Sequence, residues 1–237
     1  MLIDSISSDN DNQQFALKQE LEALLQTILP DATLKPAVLP ECNGLKLYLI
    51  DEAYSLEALD AVTQKKVMDN PLYWMFCWAS GHAMAKVIAN GQIAVKGLQL
   101  LDFGSGSGVV AIAAALAGAE QVIASDIDPI SQKAIALNAV LNGCEQKLKI
   151  IGDFNEYISI AASLDLITVA DVLYDEENKP LIDQLLPLAP KLCLADSRVK
   201  HFEHNSLVET QQTCGETFPP LGGFDEFSVV RFFQTKQ

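Results

Sequence analysis

The sequence contains no apolar run of the ~18 residues that a membrane-spanning helix needs, so no membrane partner is expected. It is also short of positive charge. Sixteen lysines and arginines face 31 aspartates and glutamates, a formal net charge of -15. Such a surface repels a phosphate backbone, which argues against nucleic acid as a broad partner. It suits a basic partner or an acceptor that offers a lysine. The first residues are acidic and polar (Asp4, Asp9, Asp11) and do not resemble a secretory signal, so the expected compartment is the cytoplasm. The five cysteines (Cys42, Cys77, Cys144, Cys193 and Cys214) are odd in number and widely spaced, with no Cys-x-x-Cys pair. Neither a disulfide framework nor a zinc site is indicated. His201 and His204 form a His-x-x-His pair with no third ligand in view, so no metal is expected. Internal repeats and low-complexity tracts are absent.

What is present is enough apolar residue, 49% of 237, to bury a sizeable core. Apolar spacing predicts a first helix over Asn12–Ile28, with Phe15, Leu21, Leu24, Leu25 and Ile28 on one face. Pro30 stops it. Pro36 and Pro40 mark a loop-rich passage to a strand candidate at Leu45–Ile50. A second helix is expected from an N-cap at Ser55 to about Met68. The aromatic cluster Tyr73-Trp74-Met75-Phe76-Cys77-Trp78 follows, and a third helix begins near Ser80. After Gly97 short apolar runs alternate with helix-length segments. Strands are expected at Leu98–Phe103, Gln121–Ser125, Leu148–Ile151, Leu166–Ala170 and Leu192–Ala195. Helices are expected between them at Gly108–Ala117, Pro129–Leu141, Glu156–Ala162 and Lys179–Leu188. Glu226–Phe233 is a further strand, placed to close the sheet as an antiparallel hairpin. This alternation predicts an α/β, doubly wound, Rossmann-like sheet. It divides the chain into an N-terminal helical extension or cap, 1–70, and a main domain, 71–237.

In such sheets ligands bind beyond the carboxyl ends of the strands. Leu101-Asp102-Phe103-Gly104-Ser105-Gly106-Ser107-Gly108 ends the first of these strands and opens a helix. Glycines there allow a tight turn and a close approach to the backbone, and the helix start offers free N–H groups. Dinucleotide enzymes use Gly-x-Gly-x-x-Gly in the same place. Here the third glycine falls at 108, not 109, and an acid, Asp102, precedes the loop. S-adenosylmethionine has no pyrophosphate but carries an ammonium and a carboxylate on its methionine end. Asp102 suits the first and the loop amides of Gly104, Gly106 and Gly108 suit the second.

The second strand runs into Asp126, whose carboxylate is expected on the ribose hydroxyls, with Ile127 beside it in the cofactor site. Asp128 precedes Pro129 and a helix, so it is assigned as an N-cap. Asp153, after the third strand, is expected on the adenine amino group. The fourth strand ends in Ala170 and Asp171-Val172-Leu173-Tyr174, beside the place of the reacting methyl.

With these residues the sequence resembles the class I, seven-stranded S-adenosylmethionine-dependent methyltransferases over about residues 71–200. The matching pieces are Leu101–Gly108, Ser125-Asp126-Ile127-Asp128-Pro129, Ala136-Leu137-Asn138-Ala139-Val140-Leu141-Asn142-Gly143 and Gly152-Asp153. Asn70-Pro71-Leu72-Tyr73-Trp74-Met75-Phe76-Cys77-Trp78-Ala79-Ser80-Gly81 and Asp171-Val172-Leu173-Tyr174 are similar to segments of the seven-stranded protein lysine methyltransferases. The group acting on the electron transfer flavoprotein β subunit, and nicotinamide N-methyltransferase-like proteins, show the nearest pattern. The resemblance implies a seven-stranded sheet, an S-adenosylmethionine cofactor and transfer to nitrogen. It places Trp78 and Gly81 at the methionine end of the cofactor, and Asp171 and Tyr174 at the acceptor. Ala195-Asp196-Ser197-Arg198-Val199 departs from the Gly-Asp-Pro-Gly-Arg type run of the flavoprotein group, which bears on the acceptor.

Three functions are thus in play. The first is methylation of lysine in a protein such as a flavoprotein subunit. The second is N-methylation of a small molecule, and the third is a non-catalytic nucleotide-binding module.

Overall fold

The computed structural model describes residues 2–154, 164–173, 176–199, 202–221 and 228–236. The chain opens with helix α1 (Leu2–Gln26). It starts well before Asn12, and its last turn tightens: Thr27 and Ile28 donate to Leu24 and Leu25, three residues back. A proline disfavours helical geometry in the residue before it, which is the position of Leu29 ahead of Pro30. The buried stripe is Leu21, Leu25 and Leu29, whereas Phe15, expected on that face, is 62% exposed. Spacing by four keeps those leucines on one side.

Strands β1 (Leu34–Val38) and β2 (Lys46–Ile50) form an antiparallel hairpin. β1 was expected to be loop because of Pro36. Among the described residues it pairs with β2 alone, and an edge strand tolerates a residue without an N–H. The second helix also departs from expectation. Leu56–Ala58 is a short 3-10 turn, and Ser55 makes no side-chain cap bond. Helix α2 (Ala61–Asp69) is capped by Asp60, whose carboxylate accepts from the Thr63 amide at 2.7 Å. Asp is the stronger cap, and the helix follows it.

Helix α3 (Ala79–Ala89) leads into the main sheet of β3 (Gln99–Phe103), β4 (Gln121–Ser125), β5 (Leu148–Ile151), β6 (Leu166–Ala170), β7 (Lys191–Asp196), β8 (Leu207–Cys214) and β9 (Val229–Thr235). The order across the sheet is β5-β4-β3-β6-β7-β9-β8. β3 to β7 are parallel, while β9 slots between β7 and β8 and runs antiparallel to both. The seven-stranded α/β sheet expected from the sequence is therefore present. β8 was not anticipated: its edge position leaves most of Val208–Cys214 exposed or partly exposed, so its sequence is polar. Helices α4 (Val109–Leu116), α5 (Pro129–Leu141) and α6 (Leu181–Leu185) cover the sheet. α6 is shorter than expected because Pro187 cannot continue the α ladder, and the chain turns 3-10 over Leu186–Leu188. The helix expected at Glu156–Ala162 lies outside the described residues.

Side chains alternate between the two faces of the parallel strands. Leu100, Val122 and Leu166 join Ala83, Ile112 and Ile135 in one cluster. Leu101, Ile123 and Ile167 join Ile182 and Leu185 on the other face. A third cluster draws Leu21, Leu25, Leu29, Leu34 and Ile50 together with Trp74, Met75, Ala134 and Leu137. Leu21, Leu25, Leu29, Leu34 and Ile50 thus share one buried cluster with side chains of α5. Burying each leucine contributes roughly 2 kcal/mol. No helix among the described residues is long and apolar enough to cross a membrane.

Two asparagines fix the hairpin to α5. Asn138, fully buried, donates to the Ser107 carbonyl at 2.9 Å and accepts from the Tyr48 amide at 2.6 Å. Asn142 accepts from the Lys46 amide and donates to the Lys46 carbonyl. Asn138→Ala leaves a buried amide and a carbonyl without partners, so it is expected to cost about 2–3 kcal/mol of unfolding free energy. Asn142→Ala, at a wetter position, should cost about 1 kcal/mol or less. Urea denaturation of both variants checks this, and the reverse ranking would refute the role given to Asn138.

Candidate functional site

Each of the five parallel strands has an aspartate at or just beyond its carboxyl end. Asp102 lies in β3 and Asp196 closes β7, while Asp126, Asp153 and Asp171 follow β4, β5 and β6. The strand order reverses between β3 and β6, and there the connections diverge to opposite faces and leave a crevice.

The glycine loop fills the start of that crevice. Gly104, Gly106 and Gly108 all have left-handed backbone (φ 69°, 53° and 83°). At Gly104 a Cβ would stand 2.9 Å from Val172 Cγ2, so the loop passes close under the β6 connection. At Gly106 a Cβ would meet nothing within 4 Å. This residue turns its bare backbone toward open space, which is the property a close-approaching ligand requires. Gly108 is the N-cap of α4, whose first amides lack helical partners.

Asp102 lies beneath the loop, 2% exposed. One carboxylate oxygen accepts from the Thr168 hydroxyl at 2.9 Å. The other is buried with no hydrogen-bond partner among the described residues. Burial pushes the carboxyl up to about 7, against the pull of the Ser105 and Thr168 hydroxyls and the Ala111 amide.

Asp126 holds the loop from the other side. Its carboxylate accepts from the Gly106 amide at 2.8 Å and the Asp128 amide at 3.0 Å. Each oxygen keeps a second lone pair for a further donor. Burial raises its pKa, opposed by those amide bonds. Asp128 is the N-cap of α5, accepting from Ile130 N–H and the Ser131 hydroxyl. The cap expected at Asp128 is therefore present. Ile127 beside them is 82% exposed, a large apolar side chain uncovered at the mouth. Asp153 is exposed at the end of β5. Behind it Phe154 is buried edge-on against Phe103, ring centres 5.1 Å apart.

Asp171 has a left-handed backbone, φ 52°, uncommon for a residue with a side chain. Its amide donates to the Ala195 carbonyl across from Ala170. One carboxylate oxygen accepts from the Ser80 amide at 2.8 Å. The other accepts from the Ser80 hydroxyl at 2.5 Å and the Ser197 hydroxyl at 3.2 Å. Burial moves its pKa up to about 6, partly offset by Ser80 and aggravated by the Asp196 charge. Asp171 thus ties the start of α3 to the ends of β6 and β7. Gly81, next along α3, lies where a Cβ would come within 2.9 Å of Val109 Cγ1, so α3 and α4 meet closely at their first turns. Trp78, the N-cap residue of α3, is half-buried and donates its indole N–H to the Tyr73 carbonyl at 2.9 Å. Trp74 is fully buried. Tyr174 lies outside the described residues.

Sequence reasoning singled out the run Ala195–Val199 but gave no individual role to Asp196, Ser197 or Ser80. Asp196, fully buried, accepts from the Leu173, Arg198 and Val199 amides and so shapes the connections after β6 and β7. Its only sequence signal was an acid at a strand end, the same signal that drew notice to Asp126. Among the described residues no cluster of three or more His, Cys, Asp or Glu side chains forms a metal site. His201 lies outside them, and His204 pairs with Asp183 at 3.1 Å.

A doubly wound sheet with an antiparallel seventh strand and a glycine loop at its switch point is the fold of class I methyltransferases. One structure that shares it is SMU.776, a methyltransferase-type protein complexed with S-adenosylhomocysteine. Its TM-score is 0.55 at 14% identity, covering 87% of this chain and 56% of that one. Residues 85–193 match the family profile described as Ribosomal protein L11 methyltransferase (PrmA). Among particular relatives, the chain is similar to the electron transfer flavoprotein β subunit lysine methyltransferase of Mus musculus. The two are 38% identical over 105 residues, which is 44% of this chain and 40% of that protein. The human protein of the same name is 35% identical over 119 residues, 48% and 43% of the two chains. The chain thus spans about two fifths of the length of these relatives. The ribosomal protein L11 methyltransferase of Acinetobacter baylyi is 26% identical over 229 residues, covering 89% of this chain and 71% of that one.

The raised carboxyl of Asp102 has a consequence for stability. Between its ordinary value and about 7 the folded state binds more proton than the unfolded chain. Its contribution is therefore fully present below the unfolded value and is lost as pH rises through that window. Asp102→Asn removes this titration. The stability of the variant relative to the parent is expected to rise by a few kcal/mol between pH 4 and pH 8. Parallel pH series of urea unfolding measure it, and a constant difference would show that Asp102 does not titrate with folding.

Proposed function

We propose that this protein is an S-adenosylmethionine-dependent methyltransferase that modifies lysine in a protein. The observation that carries the reading is the bare backbone of Gly106, hydrogen-bonded to Asp126 and open to the crevice. The residues fit the cofactor. Asp126 has lone pairs left for ribose hydroxyls, and Ile127 offers an uncovered apolar surface to the adenine. Asp153 is placed for the adenine amino group. The amides of the glycine loop and α4 suit the methionine carboxylate, with Asp102 supporting the loop from beneath. Trp78, Gly81 and Ala170 border the methionine end.

The bound cofactor supplies a methyl group activated on sulfur. The work of the protein is to hold the acceptor in line and keep water out. Orientation of this kind contributes on the order of 7–11 kcal/mol. Both Asp171 oxygens are engaged by Ser80 and Ser197, which favours a positioning role over that of a mobile base. Tyr174 is the partner proposed for the acceptor amine. A protein acceptor is favoured because the relatives are named for two different protein substrates, a flavoprotein subunit and a ribosomal protein.

Calorimetry is expected to show S-adenosylhomocysteine binding and no binding of NAD; the opposite pattern would end the proposal. Asp126→Ala should weaken S-adenosylhomocysteine at least tenfold, equal to about 1.4 kcal/mol. Unchanged affinity would remove Asp126 from the ribose site. Labelled-methyl transfer into a cell lysate should mark a discrete protein band, with the label recovered as methyl-lysine after hydrolysis. Label confined to small molecules would refute the protein acceptor.

A further inference from the structure

The first turn of α3 is gripped from three sides. Asp171 holds Ser80, and Gly81 seats the helix on Val109 at the start of α4. The third hold comes from the connection after β8. Gly215, buried, lies against the helix start. A Cβ there would stand 2.1 Å from the Ala79 carbonyl oxygen and 2.8 Å from its carbon, far inside contact distance. The Glu216 amide donates to His82 Nδ1 at 3.3 Å. Cys77 and Phe218 exchange both backbone hydrogen bonds at 2.8 Å, an antiparallel bridge just before Trp78. The Phe218 ring stands edge-on to His82, ring centres 5.0 Å apart.

His82 is 1% exposed, and both of its ring nitrogens are used. Nδ1 accepts from Glu216, so the proton sits on Nε2, which donates to the Pro40 carbonyl at 3.1 Å. Burial holds its pKa below the usual histidine value, which keeps the ring neutral. One imidazole thus joins α3 both to the N-terminal hairpin and to the last two strands. These contacts all act on residues 77–82, the segment that carries Trp78 and Gly81. We propose that the β8–β9 connection sets the position of this segment for the methionine end of the cofactor, with Gly215 and His82 as positioning residues. The proposal rests on the S-adenosylmethionine reading and deepens it. Recognition of the amino-acid end of the ligand runs through the β8–β9 edge of the sheet, whereas the adenosine end, assigned to Asp126 and its neighbours, is independent of it. Coupling of this kind is reciprocal, so a ligand that fills the methionine end steadies the connection in return.

The test compares S-adenosylhomocysteine with 5′-methylthioadenosine, which has the same adenosine and thioether but no amino-acid end. Calorimetry of the full chain measures both affinities. His82→Gln keeps a donor for the Pro40 carbonyl and removes the acceptor at the Nδ1 position. His82→Asn does the reverse, keeping the acceptor for the Glu216 amide. Gly215→Ala and His82→Gln are expected to weaken S-adenosylhomocysteine roughly fivefold or more and to leave 5′-methylthioadenosine within about twofold. His82→Asn should recover most of the lost affinity. A parallel loss of both ligands overturns the proposal, because that is the mark of general destabilisation. So does equal behaviour of the Gln and Asn variants. Should the variants fail to fold, hydrogen exchange of the parent chain decides. Amide protection over residues 215–221 is expected to rise when S-adenosylhomocysteine saturates the site and to stay at the unliganded level with 5′-methylthioadenosine. No rise with the first ligand, or an equal rise with both, overturns the positioning role. A parent chain that binds neither ligand defeats the methyltransferase reading itself, so the two failures are distinct.

Discussion

A carboxylate withdrawn from water has to be met by donors, and this requirement organises the carboxyl end of the sheet. Asp126 takes the Gly106 and Asp128 amides, Asp171 takes Ser80 and Ser197, and Asp196 takes the Leu173, Arg198 and Val199 amides. Each acid binds backbone from a loop other than its own or from the residues just beyond it. The connection after β3 is thereby tied to that after β4, and the connection after β6 to that after β7. Asp102 is the exception, with one buried oxygen lacking a partner among the described residues and its carboxyl pushed up to about 7. It sits directly beneath the loop proposed to hold the cofactor, and departures from full pairing are expected at functional sites.

These ties depend in turn on close packing behind them. Gly81 lets α3 lie against the first turn of α4, and Gly104 lets the loop pass under Val172. Asn138 joins the carbonyl of Ser107 in that loop to the amide of Tyr48 in the N-terminal hairpin. The extension is therefore linked by a single buried side chain to the segment proposed to hold the cofactor. Across the crevice Asp171 plays the corresponding part, joining Ser80 at the start of α3 to Ser197 after β7.

Much of this was legible beforehand. The five parallel strands, α4 and α5 follow from apolar runs and caps that are local. The assignment of Asp128 to a helix cap also held, because Asp-Pro at a helix start has a strong local meaning. The misread elements were those whose local signal was weak or ambiguous. Pro36 suggested a loop but sits in an edge strand, Phe15 matched the helix period but faces water, and polar β8 carries no apolar stripe. Ser55 yielded to Asp60 as a cap.

By itself the sequence determined the order of elements, the glycine loop at the end of β3 and the acids at the strand ends. These depend on neighbours a few residues apart and on the backbone preferences of glycine, proline and aspartate. Only the tertiary structure decided which groups meet those acids. Ser80 lies 91 residues from Asp171 and Ser197 lies 26 away, so no spacing rule links them. The same holds for the guanidinium of Arg198 over Trp78. Those meetings are fixed by the reversal of strand order between β3 and β6, which brings the starts of α3 and α4 and the ends of β6 and β7 to one crevice.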